Sequence, residues 1–374
     1  MARGKKRIWF IVVFMLFIAY FLIAARPIPQ ETVLKARSLG SLETGGLFTI
    51  DASEDAAESV NNYSMGRLSV IPFTLGGRFG YIDTEGHFIV NSIKQMNLCL
   101  SGDKWVEYEA EPSVLEVRNI NNEVIETIEN PRGYPVFLDG RTFIIGSEQN
   151  SLSETDGAGS VKWVYEFGAP LTCADAAAGL VLTGSIDGIV EVLDKDGGQL
   201  FAFEPGGSQY SVILGCAFSR DGSRFALVCG VDKQRFLLFE RFGSQSGEYK
   251  IIYHEFLGEG FRRPVHISFI DRDRRIVFER EQGLGIYEIN SRKAYTIALE
   301  GEAAAIDDFG GQGIFFVIVN IPLSENKELI GIKYPDRIFV NAVFKTPDVF
   351  LGRQGSRLFI GGGKIMASFE LEKK

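Results

Sequence analysis

The sequence predicts an all-β body behind one apolar N-terminal helix, and three observations carry that expectation. Short alternating apolar segments recur from Arg67 to the C-terminus, tight turns such as Asp187-Gly188 and Asn121-Asn122 separate them, and they group by fours. Residues Gly159 to Phe203 show the unit most plainly. Val161–Phe167 alternates, Gly168–Pro170 breaks it, and then Leu171–Ala174, Gly179–Ser185, Ile189–Leu193 and Leu200–Phe203 follow with turns between them. Such a meander cannot bury both faces alone, so it implies neighbours built the same way. Units of roughly 35 to 45 residues, each a four-stranded antiparallel sheet, imply blades arranged radially as a β-propeller.

The chain begins with Arg3, Lys5, Lys6 and Arg7, a cytoplasmic basic stub over residues 1–7. Residues 8–25, from Ile8 to Ala25, are uncharged and apolar, near the roughly 17 to 25 residues that cross a bilayer. The positive-inside rule puts the stub in the cytoplasm and everything after Arg26 outside it. The expectation is one retained transmembrane helix, a signal anchor. A cleaved signal peptide ending at Ala25 is the rival, and its apolar core is usually only about 7 to 15 residues long. Residues 26–66, with Pro27 and Pro29, read as a linker or stalk with one short helix over Asp51–Asn62.

The propeller is expected over residues 67–374. Three strands come first, Arg67–Thr74, Arg78–Asp83 and His87–Ile93. Six complete units then start at Asn97, Tyr134, Leu171, Val212, Val265 and Ala304. Val349–Gly352, Leu358–Gly361 and Ile365–Leu371 close the chain, three strands without a fourth. Propellers commonly close by combining both termini in one blade, which removes a free edge. That leaves seven or eight blades, eight if Leu47-Phe48-Thr49-Ile50 supplies a strand.

The chain resembles known propellers at two places. Gly179–Asp194 looks like a blade of the PQQ-like propellers, which include periplasmic outer-membrane assembly lipoproteins, and Trp163 matches their recurrent aromatic. Cys216-Ala217-Phe218-Ser219-Arg220-Asp221-Gly222 is similar to the first strand and turn of a WD40 blade. Neither Trp105 nor Trp163 is followed by Asp, so the resemblance is to the WD40/PQQ-like superfamily rather than to one family. It implies a rigid disc that binds through loops and sheet edges. PQQ-dependent dehydrogenases add a calcium site and channel aromatics, for which no residues stand out here.

Composition narrows the function. The chain has 374 residues, 45% hydrophobic and 23% charged, enough for a large core. Its net charge is −9, and without the four N-terminal bases 35 basic residues face 48 acidic ones. A body that acidic is not built to grip phosphate backbones, so no nucleic-acid partner is expected. Only His87, His254 and His266 are present, each without a second ligand or patterned carboxylate. Gly243-Ser244-Gln245-Ser246-Gly247 puts Gln where a nucleophile elbow needs Ser. Asp194-Lys195-Asp196-Gly197 opens like a calcium loop but lacks its distal ligands, and reads as a hairpin turn. No catalytic residue, cofactor or metal is therefore assigned. Cys216 and Cys229 are placed on adjacent strands of one hairpin, either as a disulfide in an oxidising compartment or as two free thiols. Arg262, Arg263, Arg272, Arg274 and Arg275 form the one basic concentration outside the N-terminus, a candidate partner-docking patch. The expectation is a membrane-anchored, periplasmic, non-catalytic scaffold for protein partners in a bacterial envelope. Its alternative is a ligand-sensing or enzymatic propeller that uses the central channel.

Overall fold

In a computed structural model the described residues are 32–43, 46–49, 70–243, 247–258, 260–281, 283–308 and 313–373. The expected stub, transmembrane helix and short helix over Asp51–Asn62 lie outside them. Among the described residues no helix is long and apolar enough to cross a membrane. The compact unit Leu34–Leu371 carries the propeller; of the other unit, Thr32 and Val33 belong to strand β1 and Glu372 and Lys373 to β32.

Among the described residues thirty-two strands form eight antiparallel sheets, which settles the blade count at eight. Blade 2 holds β6 (Asn97–Leu100), β7 (Lys104–Tyr108), β8 (Val114–Asn119) and β9 (Val124–Glu129). Blade 3 holds β10 (Gly133–Leu138), β11 (Arg141–Gly146), β12 (Ser151–Thr155) and β13 (Val161–Glu166). Blade 4 holds β14 (Leu171–Ala177), β15 (Leu180–Ser185), β16 (Val190–Leu193) and β17 (Gln199–Phe203). Blade 5 holds β18 (Ile213–Phe218), β19 (Arg224–Cys229), β20 (Gln234–Arg241) and β21 (Tyr249–Gly258). Blade 6 holds β22 (Ile267–Ile270), β23 (Arg275–Arg280), β24 (Gly283–Glu288) and β25 (Lys293–Ala298). Blade 7 holds β26 (Glu302–Asp308), β27 (Ile314–Asn320), β28 (Asn326–Lys333) and β29 (Arg337–Lys345). These are the six units the sequence shows as complete. Val161–Glu166, read at the head of the clearest unit, is the outer strand of blade 3 rather than part of blade 4.

Both ends of the chain meet in blade 8, where β30 (Val349–Gln354), β31 (Arg357–Gly362) and β32 (Ile365–Lys373) are joined by β1 (Thr32–Ser41) and β2 (Gly46–Thr49). The expected linker over 26–66 is thus corrected: two of its segments are strands. Pro27 and Pro29 suggested a stalk, but both precede β1, whose Thr, Val and Leu suit a pleated surface. Across β1 and β32, Arg37 donates from Nε to Glu370 at 2.8 Å, and the Ser38 and Ser368 hydroxyls pair in a buried position. The extra strand at Leu47 does exist, but as the outermost of five in blade 8.

Blade 1 holds three described strands, β3 (Val70–Leu75), β4 (Arg78–Asp83) and β5 (Phe88–Ile93). In blades 2, 3 and 4 the turn before the fourth strand opens with Asn119, Asp156 or Asp194, whose side chain accepts backbone N–H groups two and four residues on. Asp83 does the same before β5, accepting from Glu85, Gly86 and His87. β3 packs against β30 of blade 8 and runs opposite to it, with Gly76 N–H donating to Asp348 at one end and Ile71 against Gly352 at the other.

Eight buried apolar clusters each draw side chains from two adjacent blades, so the core lies between blades and the ring is closed. On the face that blade 5 turns to blade 4, Phe225 stacks on Phe239 at 4.4 Å and Tyr249 donates from Oη to the Gly222 carbonyl at 2.7 Å, all within blade 5. Between blades 1 and 2 the fully buried set shrinks to Phe79, Tyr81 and Trp105.

Candidate functional site

Burying a charge is costly unless it is paired, so buried charges are where a site is sought. Five buried polar side chains line a cleft of about 460 Å³ at the edge between blades 2 and 3: Lys104, Glu126, Thr142, Glu154 and Thr155. They come from the start of β7, the middle of β9, the start of β11 and the end of β12, which the radial packing brings to one end of the two blades.

Two linked networks fill the cleft. Lys104 donates from Nζ to the Gly140 carbonyl at 2.8 Å and to Thr142 Oγ1 at 2.9 Å, and the Thr142 hydroxyl in turn donates to Glu126 at 2.8 Å. Thr155 donates to the other Glu126 oxygen. Beside it Glu154 accepts from Arg141 at 3.0 Å, Lys162 at 3.1 Å and the Trp163 indole at 3.0 Å. Arg141 also reaches the Leu180 carbonyl of blade 4 at 2.8 Å and lies over the Phe143 ring at 4.9 Å. Burial pushes the Lys104 ammonium pKa below its ordinary value, partly offset by the nearby Asp103 and Glu126 charges. Arg141 Nε is buried without a hydrogen-bond partner. Both buried carboxylates are held by donors, so the arrangement is suited to hydrogen-bonded joining of blades and to polar recognition at its mouth. Nothing in the sequence marked this cleft. Its residues come from four strands in two blades and share no spacing.

The channel side holds a second group of charges. Asp307 on β26 sits 3.3 Å from Arg353 on β30, and burial raises its pKa to about 6 against the lowering effect of that arginine. Asp175 accepts the Phe218 N–H of the next blade at 2.7 Å, and Asp308 accepts the Asp271 N–H at 2.7 Å.

The five arginines expected to form one patch are divided by β22 between its two ends. Arg263 lies before that strand and pairs with Glu279 at 3.1 Å and Glu302 at 3.3 Å; Arg262 beside it is exposed. Beyond it, Arg274 pairs with Asp271 at 2.5 Å. Arg275 also meets Asp271 and Glu288, and lies 3.5 Å over the Tyr334 ring. Arg272 is exposed, with a φ of 56° in the turn. The structure places two of the five before β22 and three after it, and three of them pair with local carboxylates.

All four cysteines are free thiols. Cys216 lies opposite Leu227 and Cys229 opposite Ile213, so the expected hairpin pair does not face itself. His87 contacts Asp83 at 3.1 Å and His266 contacts Ser268 at 3.2 Å. The Asp194 segment is the hairpin turn expected of it. Among the described residues no three His, Cys, Asp or Glu side chains are placed to hold a metal ion.

The chain is similar to several known proteins. An uncharacterized protein of Treponema pallidum (strain Nichols) is 28% identical over 371 residues, 98% of this chain and 93% of that protein. The computationally designed Ika8 protein matches the fold with a TM-score of 0.59 at 13% identity, over 81% of this chain and 93% of that one. BamB from Moraxella catarrhalis aligns at a TM-score of 0.44 and 12% identity, over 74% of this chain and 96% of its own. A family model described as beta-propeller protein matches residues 1–374, and the chain belongs to that family.

Proposed function

We propose that the chain is an N-terminally anchored, extracytoplasmic β-propeller of the WD40/PQQ-like kind that acts as a non-catalytic protein-interaction scaffold in a bacterial envelope. The observation that carries this reading is the outer strand of blade 5. β21 runs ten residues and exposes Ile251, Ile252 and Phe256 by 40%, 43% and 57%. Edge strands left apolar are unusual, because an unpaired edge invites another chain to add to the sheet. The same device is the basis of β-strand addition, in which main-chain hydrogen bonds hold a partner segment. The apolar run over residues 8–25 supports confinement to a membrane, where local concentration strengthens weak contacts.

The test is crosslinking of the full-length protein in its native membranes, followed by affinity capture and mass spectrometry. The double variant Ile252→Glu/Phe256→Glu is expected to lose a discrete set of envelope proteins while keeping the parent melting temperature. Recovery of the same set by the variant speaks against the scaffold. Release of the protein by high-salt washing alone speaks against the anchor.

A second reading, a ligand-sensing or enzymatic channel, is favoured by the Asp307–Arg353 pair on two innermost strands. Its carboxyl titrates within reach of neutral pH, as an acid or base must.

A further inference from the structure

Blades 4 and 5 bring two thiols together that no sequence spacing connects. Cys173 on β14 and Cys216 on β18 belong to the first strands of adjacent blades, which run side by side around the channel. Both side chains sit in the interface: Cys216 is buried, Cys173 is partly exposed and packs against the same apolar cluster, and the two sulfurs are within hydrogen-bonding reach. The strands are clamped at this level by Thr172, whose hydroxyl donates to Ile213 O of blade 5 at 2.5 Å and lies 3.0 Å from Gly184 O of its own blade. Gly184 makes room for the pair, since a methyl group there falls 2.8 Å from Cys173 Sγ and 2.4 Å from Ile213 Cγ2.

We infer that Cys173 and Cys216 form a thiol–disulfide exchange site, which takes small-molecule disulfides and becomes an inter-blade staple. The partly exposed Cys173 thiolate attacks the incoming disulfide, forming a mixed disulfide and releasing one thiol. Cys216, whose thiol pKa is held well above its ordinary value by the hydrogen bond to Cys173 and by burial, then attacks Cys173 Sγ, its proton leaving with the second thiol that is expelled. One S–S bond is broken at each step and one formed; two electrons and two protons leave the protein with the reduced co-reactant. The product joins two blades at the channel wall and leaves Cys99 and Cys229 reduced.

The full-length protein is incubated with oxidised glutathione, quenched with N-ethylmaleimide under denaturing conditions and mapped by peptide mass spectrometry. The expected result is a protein lighter by two hydrogen atoms with a Cys173–Cys216 linked peptide. Its melting temperature rises by roughly 5 °C and falls back on adding dithiothreitol. Cys216→Ser is expected to stop at a glutathione adduct on Cys173, and Cys229→Ser to behave as the parent. Four alkylated thiols after oxidation overturn the inference. So does a stable adduct on Cys173 of the parent protein, or a linked peptide containing Cys229.

Discussion

Blades 4 to 6 and blades 8, 1 and 2 are built on one plan and held by different means. Between blades 4 and 5, and again between 5 and 6, the interfaces are dominated by apolar side chains, with Phe225 stacked on Phe239 on the face that blade 5 turns to blade 4, and Phe236 of blade 5 stacked on Phe278 of blade 6 at 4.2 Å. At the closure, blade 8 is assembled from residues at both ends of the chain and tied by Arg37 to Glu370 and Ser38 to Ser368. One interface further, Tyr81 Oη and Trp105 Nε1 are buried with no hydrogen-bond partner. Where consecutive residues make each blade, large apolar clusters carry most of the joining and a few polar contacts such as Asp175 to Phe218 N–H are added to them; where distant segments must find one another, polar contacts between the two ends fix the register.

The comparison is tested hardest in the apolar half. Phe225 is fully buried between stacked aromatic partners, so Phe225→Ala is expected to cost about 3 to 5 kcal/mol through lost contacts and an unfilled cavity. Urea denaturation measures this, and a loss below about 1 kcal/mol breaks the claim that this interface carries the ring. At the charged cleft, Glu154→Ala strips Arg141 and Lys162 of their shared carboxylate and leaves the less exposed Arg141 without its ion pair. The expected loss is about 3 kcal/mol by the same assay, and a change within experimental error indicates that water replaces the carboxylate freely.

Asp307 sharpens the contrast through pH. Its pKa is raised by burial to about 6 from 3.8, so the folded chain holds a proton there that the unfolded chain has lost. Stability is therefore fully supported below about pH 4, falls as pH rises to about 6 and is flat above, by at most about 3 kcal/mol. Asp307→Asn is expected to remove that slope from a plot of unfolding free energy against pH, and an unchanged slope assigns it to other groups. The smallest effect has the opposite sign. Tyr81→Phe deletes a buried hydroxyl that bonds to nothing and is expected to leave stability unchanged or raise it by about 1 kcal/mol in urea titration, whereas a clear loss means the hydroxyl has a partner.

How much of this was legible followed the same division. Val190-Glu191-Val192-Leu193 and Arg224 to Cys229 announce their strands because alternation and flanking turns fall within one short stretch. β1 was hidden because its pairing partner lies more than three hundred residues away and nearby prolines suggested a stalk. The charged cleft was hidden for a related reason. Lys104, Glu126 and Glu154 look like ordinary surface residues until a neighbouring blade covers them. The arginines differ the other way, adjacent in sequence yet placed before and after β22. Cys216 was recognised as a strand residue, but its neighbour Cys173 is set by blade packing, which no local pattern records.

The central claim is that the two ends of the chain close the ring, and hydrogen exchange of the full-length protein tests it most directly. Closure through β1 predicts that amides of Ser38–Ser41, which lie between β2 and β32, are protected throughout, that alternation is confined to Leu34–Arg37 beside β32 alone, and that protected amides match those of β32 within about tenfold. Uniform exchange across Leu34–Ser41 at the rate of an unstructured peptide, with β30 to β32 still protected, contradicts it and leaves blade 8 closed by the C-terminus alone.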